Sequence, residues 1–339
     1  MIIRKTAYPR GGLVGNPSDG YFGKTIAIAF TNFQASVTLY ESPELEILPN
    51  TRDHSRFSGI KALAEDVRRC GYYGGIRLLK ATVKRFYDYC CDQGIRLSDA
   101  NFTLRYESTI PHMVGLAGSS AIITAGLRAL MTFYGVNIPR PVQPNLVLAV
   151  EKEELGIAAG LQDRVAQVYQ GVVYMDFDRT LMERRGYGEY EHLPIDALPP
   201  LYIAYREDLS EGSEVVHSDF QERFKRGDAE ALEAIECWKN LTDRVRACLL
   251  SGQGHRIGPL LNANFDKRAQ VCRISPGNLQ MITAARSVGA SAKFTGSGGA
   301  IIGTYEDEKM FAALKKRLEA IRVRVFKPVI APPAGERDL

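Results

Sequence analysis

Residues 111–121 are the segment of this chain whose residue types and spacing best suit the binding of a phosphate group. Gly115 and Gly118 let the backbone turn tightly and approach a ligand closely, because they carry no Cβ atom. Ser119 and Ser120 follow at the predicted start of an apolar helix, where unpaired N–H groups attract an anion. The segment lacks the Gly-Lys-Ser/Thr ending of a P-loop. On its own it fits a serine-capped helix after a flexible turn equally well.

Three other segments, residues 9–23, 151–164 and 295–299, are also unusually rich in glycine and polar side chains. Each is weak evidence alone, because a glycine-rich run is often a plain turn and a carboxylate near a helix start often only caps the helix. Glu151 lies in a run of charged residues, which also fits a solvated surface position. A shared site therefore requires that the fold bring the four segments together.

Hydrophobic periodicity predicts the elements on either side of the phosphate segment. The β-branched and apolar residues within 24–49 and the alternating pattern of 102–107 predict strands. Apolar residues spaced by three and four positions predict helices over 76–92 and 123–134. The phosphate segment would therefore join a strand to a helix.

The rest of the chain adds helices and strands without a regular alternation. Helices are predicted over 145–155 and 161–170, a strand follows Gly171, and the proline-rich residues 193–200 are the best linker candidate. Further helices are predicted over 214–251, 276–288 and 307–320, and a final strand over 321–329. The pattern predicts an α+β protein, divided into domains 1–198 and 199–339.

The composition is that of an ordinary globular protein. The chain has 339 residues, 45% of them hydrophobic and 24% charged, and its formal net charge is +4. Lysine and arginine are scattered, so no nucleic-acid partner is expected, and no apolar run approaches the roughly 20 residues of a membrane span. Six cysteines without a C-x-x-C pair indicate free thiols. We therefore expect a cytoplasmic protein with no membrane partner.

Taken in order, the four glycine-rich segments resemble those of the GHMP kinase superfamily, which phosphorylates small metabolites with ATP. Longer runs at residues 15–19, 71–77, 156–169 and 292–300 are similar to the plant glucuronokinase family, which converts D-glucuronate and ATP to glucuronate 1-phosphate. The resemblance covers nearly the whole chain. It implies a two-domain GHMP kinase fold, with an N-terminal domain like the second domain of ribosomal protein S5 and a ferredoxin-like C-terminal domain.

The same resemblance assigns the ATP and Mg²⁺ sites. The residues that would hold the phosphates of ATP are Gly115, Leu116, Ala117, Gly118, Ser119 and Ser120. Ser120 would also bind Mg²⁺ together with Glu151, whose position twelve residues before Asp163 matches the spacing in the superfamily. A carboxylate, a hydroxyl and phosphate oxygens are the ligands that this hard cation prefers.

Asp163 and Arg10 match the catalytic positions of the superfamily. Asp163 would accept the proton of the sugar 1-hydroxyl, and the start of a helix would help to keep it ionised. Arg10 would lower the pKa of that hydroxyl or stabilise the charge of the transferring phosphate. Gln162 replaces other residues found before the aspartate in related kinases, which we interpret as a subfamily difference.

Recognition of the sugar is where the chain departs most from its relatives, which often have Glu-His at the place of Asn16-Pro17. Asn16 and Asp19 would bind sugar hydroxyls. The segment that would close the phosphate site or shape the sugar pocket contains Thr295, Gly296, Ser297 and Gly298. A sugar carboxylate needs a cation, because burying it unpaired is costly. The candidates are Arg164 first and Arg77 second, then Lys293 and Arg10.

Two alternatives to a glucuronate kinase stay open at this point. One is a kinase of the same superfamily for galacturonate, another sugar or a mevalonate-like acid. The other is a catalytically silent regulator that binds nucleotide or sugar, although the retention of Ser120, Glu151 and Asp163 argues against it. The sequence does not separate a monomer from a homodimer.

Overall fold

The computed structural model of the chain describes residues 1–50, 53, 74–209 and 213–335. Residues 71–73 of the family-like run 71–77 therefore lie outside the described residues. Within the described residues, no helix has the length and apolar character needed to cross a membrane.

The first sheet contains strands β1 (Ile2–Ala7), β4 (Ala35–Ser42), β6 (Asn101–Ser108) and β5 (Glu46–Ile47), in that order across the sheet. Only the β5–β6 pair is parallel. Val37 and Leu39 are fully buried and alternate with more exposed residues, as expected for a strand with one face on the core. Helices α1 (Gly75–Asp92) and α2 (Gly118–Tyr134) pack beside this sheet.

The second sheet contains strands β2 (Arg10–Val14), β3 (Lys24–Ala29), β7 (Val172–Asp176) and β8 (Glu189–Leu193), all antiparallel. Helix α4 (Gln162–Tyr169) packs on β3 and β7 through a small apolar cluster that includes Val165. This packing places the start of α4, and with it Asp163, beside Arg10, the first residue of β2.

The third sheet contains strands β10 (Lys293–Phe294), β11 (Ala300–Thr304), β9 (Leu201–Tyr205) and β12 (Arg324–Phe326), all antiparallel. The helices of this half are α6 (Ser213–Lys225), α7 (Ala229–Leu250), α8 (Gly258–Val271), α9 (Pro276–Arg286) and α10 (Glu308–Glu319). Phe265, Met281 and Leu314, from three of these helices, pack against the sheet in one buried cluster.

Shorter elements complete the described fold. They are α3 (Gln143–Ala149), a π-helical turn (Val150–Glu154), α5 (Arg179–Arg185) and the 3-10 turns Ser18–Tyr21, Glu207–Leu209 and Gly254–Arg256. One buried apolar cluster contains Val14, Ile203 and Trp238, so it spans the proposed boundary at residue 198. That boundary stays a prediction.

Most predicted elements are confirmed, and the α+β class with them, but two predictions need correction. The helix predicted over 145–155 is α3 followed by the π-helical turn, and the chain leaves it at Gly156, where φ is +67°. The helix predicted over 214–251 is interrupted at Gly227, with φ of +71°, and α7 restarts with Asp228 as its N-cap. Helix α8 was not predicted.

Residues 10–14, part of the glycine- and polar-rich segment 9–23, were not assigned to any predicted element. They form the fully buried strand β2. Gly12 is needed there because a Cβ atom at this position would lie 2.6 Å from the Thr295 carbonyl oxygen. The glycines of this segment therefore permit close packing between strand and loop rather than a flexible turn.

Candidate active site

The phosphate segment connects β6 to α2 through a sharply turned loop. Met113, Gly115 and Ala117 all have positive φ, at +53°, +70° and +62°. A Cβ atom on Gly115 would lie 2.6 Å from the Gly298 carbonyl oxygen, so this position requires glycine. The first N–H groups of α2, beginning at Gly118, have no partner inside the helix and are available to an anion.

The second half of the loop contacts the rest of the site through backbone carbonyl groups. The Leu116 carbonyl accepts the Arg10 N–H at 3.3 Å, and the Ala117 carbonyl accepts the Gln167 side-chain amide at 2.7 Å. Leu116 is buried, and Gln167 belongs to α4. The loop is therefore held between β2 and the helix that carries Asp163.

The two serines at the start of α2 have different surroundings. The Ser119 hydroxyl donates to Glu151 Oε1 at 2.7 Å. The Ser120 hydroxyl is fully buried and donates to the Ala117 carbonyl at 3.3 Å, within the first turn of the helix. The structure therefore brings Ser119, and not Ser120, into contact with Glu151, and the expected role of Ser120 as a Mg²⁺ ligand stays a prediction.

Glu151 is a buried carboxylate and not a surface glutamate. Its side chain is 1% exposed. Its Oε2 accepts two hydrogen bonds from the Arg164 guanidinium, one from Nη2 and one from Nε at 2.7 Å. Arg164 also donates to the Gly160 carbonyl and lies 3.3 Å from Asp163 Oδ2. The Arg164 charge is thus shared between two carboxylates that lie twelve residues apart in sequence.

Arg10 links the candidate catalytic carboxylate to the phosphate segment. Its Nε donates to Asp163 Oδ1 at 2.6 Å, and its Nη1 donates to the Gly115 carbonyl at 2.6 Å. Arg10 is 4% exposed, so both bonds are shielded from water. The strand β2 therefore places one rigid side chain between the proton acceptor and the turn that would hold the phosphates.

Two carboxyl groups near this point have pKa values shifted in opposite directions. Burial alone would raise the pKa of Asp163, but the positive charges of Arg10 and Arg164 outweigh it and lower the pKa. Burial, with the negative charge of Asp163, raises the pKa of Asp19 to about 6. Asp19 Oδ2 also accepts the Gln162 N–H at 3.3 Å. Asp163 is therefore ionised at neutral pH, and Asp19 titrates close to that range.

The segment 295–299 closes the site from the C-terminal half. The Thr295 hydroxyl donates to the Gly115 carbonyl at 3.1 Å, and the Thr295 carbonyl accepts the Gly12 N–H at 2.9 Å. A Cβ atom on Gly296 would lie 2.9 Å from both Arg10 Nη2 and the Gly115 oxygen. At the far end of the segment, Asn278 accepts the Gly299 N–H at 2.8 Å. The two glycine-rich loops are thus in direct contact.

Asn16 lies in the site, but its side chain already has partners. It is 3% exposed; its amide oxygen accepts a hydrogen bond from Lys293, and its amide donates to the Phe294 carbonyl at 3.4 Å. Asn264 of α8 clamps the same backbone, accepting the Gly15 N–H at 2.6 Å and donating to the Asn16 carbonyl at 3.1 Å. The proposed contact between Asn16 and a sugar hydroxyl stays a prediction.

The candidate cations differ in how far their charge is neutralised. Arg164 is paired with carboxylates, which argues against it as the first choice for a sugar carboxylate. Arg77 is exposed near the start of α1, and its proposed role stays a prediction. Arg268 of α8 was missed; it donates to the Gly296 and Ser297 carbonyls at 2.7 and 3.0 Å.

The sequence contains a pattern from which the burial of Arg268 and Asn264 could have been predicted. Leu260, Asn264 and Arg268 are spaced four residues apart, and all three are buried on one face of α8. Polar residues that interrupt an apolar helical stripe are buried and need partners. Because we did not predict a helix over these residues, the stripe was not recognised.

The oxygen atoms near the start of α2 suit a magnesium ion bound together with phosphate. Among the described residues, no group of three or more His, Cys, Asp or Glu side chains is placed to hold a metal. The Ser119 hydroxyl and the Glu151 carboxylate nevertheless converge at 2.7 Å beside the free N–H groups of α2. Hard oxygen donors of this kind fit Mg²⁺, which takes its other ligands from phosphate and water.

Comparison with known proteins finds similarity to one family of kinases. Residues 77–171 match the family described as GHMP kinases N terminal domain. Glucuronokinase 1 of Arabidopsis thaliana is 43% identical over 307 residues, which are 88% of this chain and 84% of that protein. Probable glucuronokinase 2 of the same plant is 43% identical over 309 residues, which are 89% and 84% of the two chains.

The fold agrees with that match. The crystal structure of Lactococcus lactis galactokinase complexed with galactose aligns with a TM-score of 0.73, covering 98% of this chain and 95% of that one. Its sequence is 15% identical, so this likeness shows the fold alone. The identity to the two plant proteins extends over most of their length, and on that basis this chain belongs to the GHMP kinase family, in which it is a relative of the plant glucuronokinases.

Proposed function

We propose that this chain is a glucuronokinase, which transfers the γ-phosphoryl group of ATP to the C1 hydroxyl of D-glucuronate and releases ADP. The observation that carries the proposal is the Arg10 side chain, which bonds both Asp163 and the Gly115 carbonyl. A phosphoryl transfer needs a proton acceptor and a phosphate site held in fixed relation, and Arg10 provides that relation.

The reaction forms a bond between the γ-phosphorus and the sugar C1 oxygen and breaks the bond to the β-phosphate oxygen. The hydroxyl proton passes to the Asp163 carboxylate, which is ionised because Arg10 and Arg164 lower its pKa. Arg10 and the N–H groups at the start of α2 stabilise the charge of the transferring group. The two loops contact each other through Thr295 and Gly115, which holds the phosphate segment in place beside Arg10.

ATP is the phosphate donor in GHMP kinases, and we assign its phosphates to the segment Gly115–Ser120. Glu151 and Ser119 are the residues that would hold Mg²⁺. The alternative hydroxyl ligand is that of Ser120, which the family resemblance implies. When bound, the ion neutralises charge on the phosphate oxygens. Glu151 keeps its contact with Arg164 through the other carboxylate oxygen, which fixes its orientation.

The sugar would lie between the Asp19 segment and residues 295–298, where both loops approach Asp163. Glucuronate is favoured over a neutral sugar because the two plant relatives are named as glucuronokinases and because the buried cation Arg268 bonds residues 296 and 297. The described cysteines are free, which supports a reducing, cytoplasmic setting for this enzyme. We expect it to act as a monomer or a homodimer.

A substrate panel tests the proposal. Purified protein is incubated with ATP, Mg²⁺ and D-glucuronate, D-galacturonate, D-glucose, D-galactose or mevalonate, and ADP release is followed in a coupled assay. We expect the highest kcat/KM with D-glucuronate, and ³¹P NMR should show a phosphate on the anomeric carbon. Strong turnover of a neutral sugar with none of glucuronate would contradict the substrate. Nucleotide binding without any turnover would indicate the silent regulator.

A further inference from the structure

Arg268 is a buried cation at the site that has no carboxylate partner among the described residues. It is 2% exposed, and it forms no ion pair with any described acid. Its Nη1 and Nη2 each donate one hydrogen bond to a backbone carbonyl, at Gly296 and Ser297, and its Nε has no partner. Neutral oxygens do not cancel a full positive charge, and a buried unpaired charge is costly.

Two of the other buried cations of the site are paired with carboxylates, and the third has no unused donor. Arg10 pairs with Asp163, and Arg164 pairs with Glu151. The ammonium group of Lys293 donates to three acceptors, which are the Gly12 and Phe294 carbonyls and the Asn16 amide oxygen. Those three bonds use all of its N–H groups. Among these side chains Arg268 alone retains unused donors beside an uncompensated charge.

Arg286 of the neighbouring helix α9 shows what a structural arginine looks like in the same half. Like Arg268, it donates to two backbone carbonyls, stacks on a phenylalanine ring and has an unpaired Nε. Unlike Arg268, it forms an ion pair with Asp266 at 2.6 Å. The two arginines thus share their backbone bonding and their ring contact and differ in whether a carboxylate is supplied by the chain itself.

Arg268 contacts the segment 295–299, which also contacts the catalytic cluster through Arg10. Its Nη1 bonds the carbonyl of Gly296, and the Cα of that residue lies against Arg10. Asp19 is close enough for its negative charge to act on the guanidinium. The Phe294 ring covers the guanidinium plane, with its centroid 5.1 Å away, and orients the side chain. Arg268 therefore contacts the C-terminal loop beside which we place the sugar.

We propose that Arg268 determines substrate specificity by binding the carboxylate of the sugar acid, with the second N–H of each terminal nitrogen as donor. A planar guanidinium matches the two oxygens of a carboxylate better than an ammonium does. The substrate then supplies the counter-charge that the chain omits. This inference rests on the proposed function, since it assumes that the substrate is a uronic acid.

The test compares the binding of D-glucuronate with that of D-glucuronamide, which replaces the carboxylate by an uncharged amide of the same shape. Dissociation constants are measured by calorimetry in the presence of a non-hydrolysable ATP analogue, for the wild type, R268M and the matched control R286M. We expect R268M to weaken glucuronate binding by about 10- to 100-fold and glucuronamide binding by less than about 3-fold. R286M should retain the wild-type ratio of the two constants.

A purely structural role of Arg268 would weaken the acid and the amide equally, so an unchanged ratio in R268M overturns the inference. If R268M does not fold, as judged by circular dichroism, R268Q replaces it, since its amide can still donate to a loop carbonyl but carries no charge. We expect the same change in the ratio of the dissociation constants for glucuronate and glucuronamide. A ratio equal to that of the wild type again overturns the inference. Failure of the proposed function is seen separately, as absence of glucuronate turnover by the wild type.

Discussion

The two sides of the site differ in how their buried cations are paired. We call Arg10, residues 115–120, Glu151, Asp163 and Arg164 the N-terminal wall, and Arg268, Lys293 and residues 295–299 the C-terminal wall. In the N-terminal wall, Arg10 and Arg164 each bond a carboxylate of the same chain. In the C-terminal wall, Lys293 and Arg268 bond only neutral oxygens among the described residues. The N-terminal wall is therefore complete before any ligand arrives, whereas the C-terminal wall lacks a negative charge.

This difference separates chemistry from recognition. Groups that stabilise a transition state must be in place beforehand, and internal ion pairs hold Asp163 and Glu151 in one orientation. A cation that selects a substrate must instead be left unpaired until the substrate binds. We therefore expect substitutions in the N-terminal wall to lower kcat, and substitutions in the C-terminal wall to change which ligand binds.

The largest effect is expected for D163N, in the N-terminal wall. The amide cannot accept the hydroxyl proton, so kcat should fall by about 10²- to 10⁴-fold, the usual contribution of a general base. Binding of ATP and of glucuronate should remain within a few-fold of the wild type. The matched control is D176N, because Asp176 also pairs with a cation, Lys24, but lies on β7 outside the site. Near-wild-type kcat in D163N would rule out this base.

The contact between the two walls can be broken with G115A. The added Cβ would lie 2.6 Å from the Gly298 oxygen, so the loops must separate, and we expect kcat/KM to fall by about 10-fold or more. G135A is the control, because Gly135 also has positive φ, +65°, but a Cβ there meets nothing within 4 Å. Both changes should lower stability through backbone strain of about 1–2 kcal/mol. Equal kcat/KM in the two variants would show that the loop contact is not needed.

The metal ligand of the N-terminal wall can be identified with S119A and S120A. Of the two serines, only Ser119 contacts Glu151. S119A should therefore raise the Mg²⁺ concentration for half-maximal activity by about 10-fold, which corresponds to the loss of one hydrogen bond to a charged group. S120A removes a hydroxyl bonded within its own helix and should change that concentration little. The opposite ranking would restore Ser120 as the ligand, as the sequence alone suggested.

A smaller effect is expected on the stability of D19N, measured by chemical denaturation. The folded-state pKa of Asp19 is about 6 against 3.8 unfolded, so its ionisation destabilises the folded state above pH 6. D19N should therefore be more stable than the wild type at pH 8, by on the order of 1–3 kcal/mol. The gain should shrink as the pH falls through 6 and vanish below about 3.8, where Asp19 is protonated in both the folded and the unfolded state. A gain that grows on acidification would contradict this assignment.

The sequence predicted the N-terminal wall better than the C-terminal wall, and the reason is physical. The phosphate segment, the helix after it, and Asp163 at the start of α4 are local features, set by glycine positions and helical periodicity. Glu151 and Asp163, which the sequence analysis paired by their spacing, lie close together in the structure, because both contact Arg164. Local patterns of this kind are visible in a single sequence.

The C-terminal wall depends on contacts between distant parts of the chain. Asn264 meets Gly15 across 249 residues, and Lys293 meets Gly12 across 281 residues. Neither pairing leaves a local pattern, and Arg268 was overlooked because α8 itself was not predicted. The burial of strand β2 was also missed, because its two glycines are more typical of a turn than of a strand.

The central claim is that the N-terminal wall performs the transfer and the C-terminal wall recognises the acid. Its most direct test is a calorimetric titration of D163N and R268M with D-glucuronate, side by side, in the presence of a non-hydrolysable ATP analogue. The account predicts that D163N binds glucuronate nearly as the wild type does, while R268M binds it about 10- to 100-fold more weakly. Lost binding in D163N together with intact binding in R268M would contradict it.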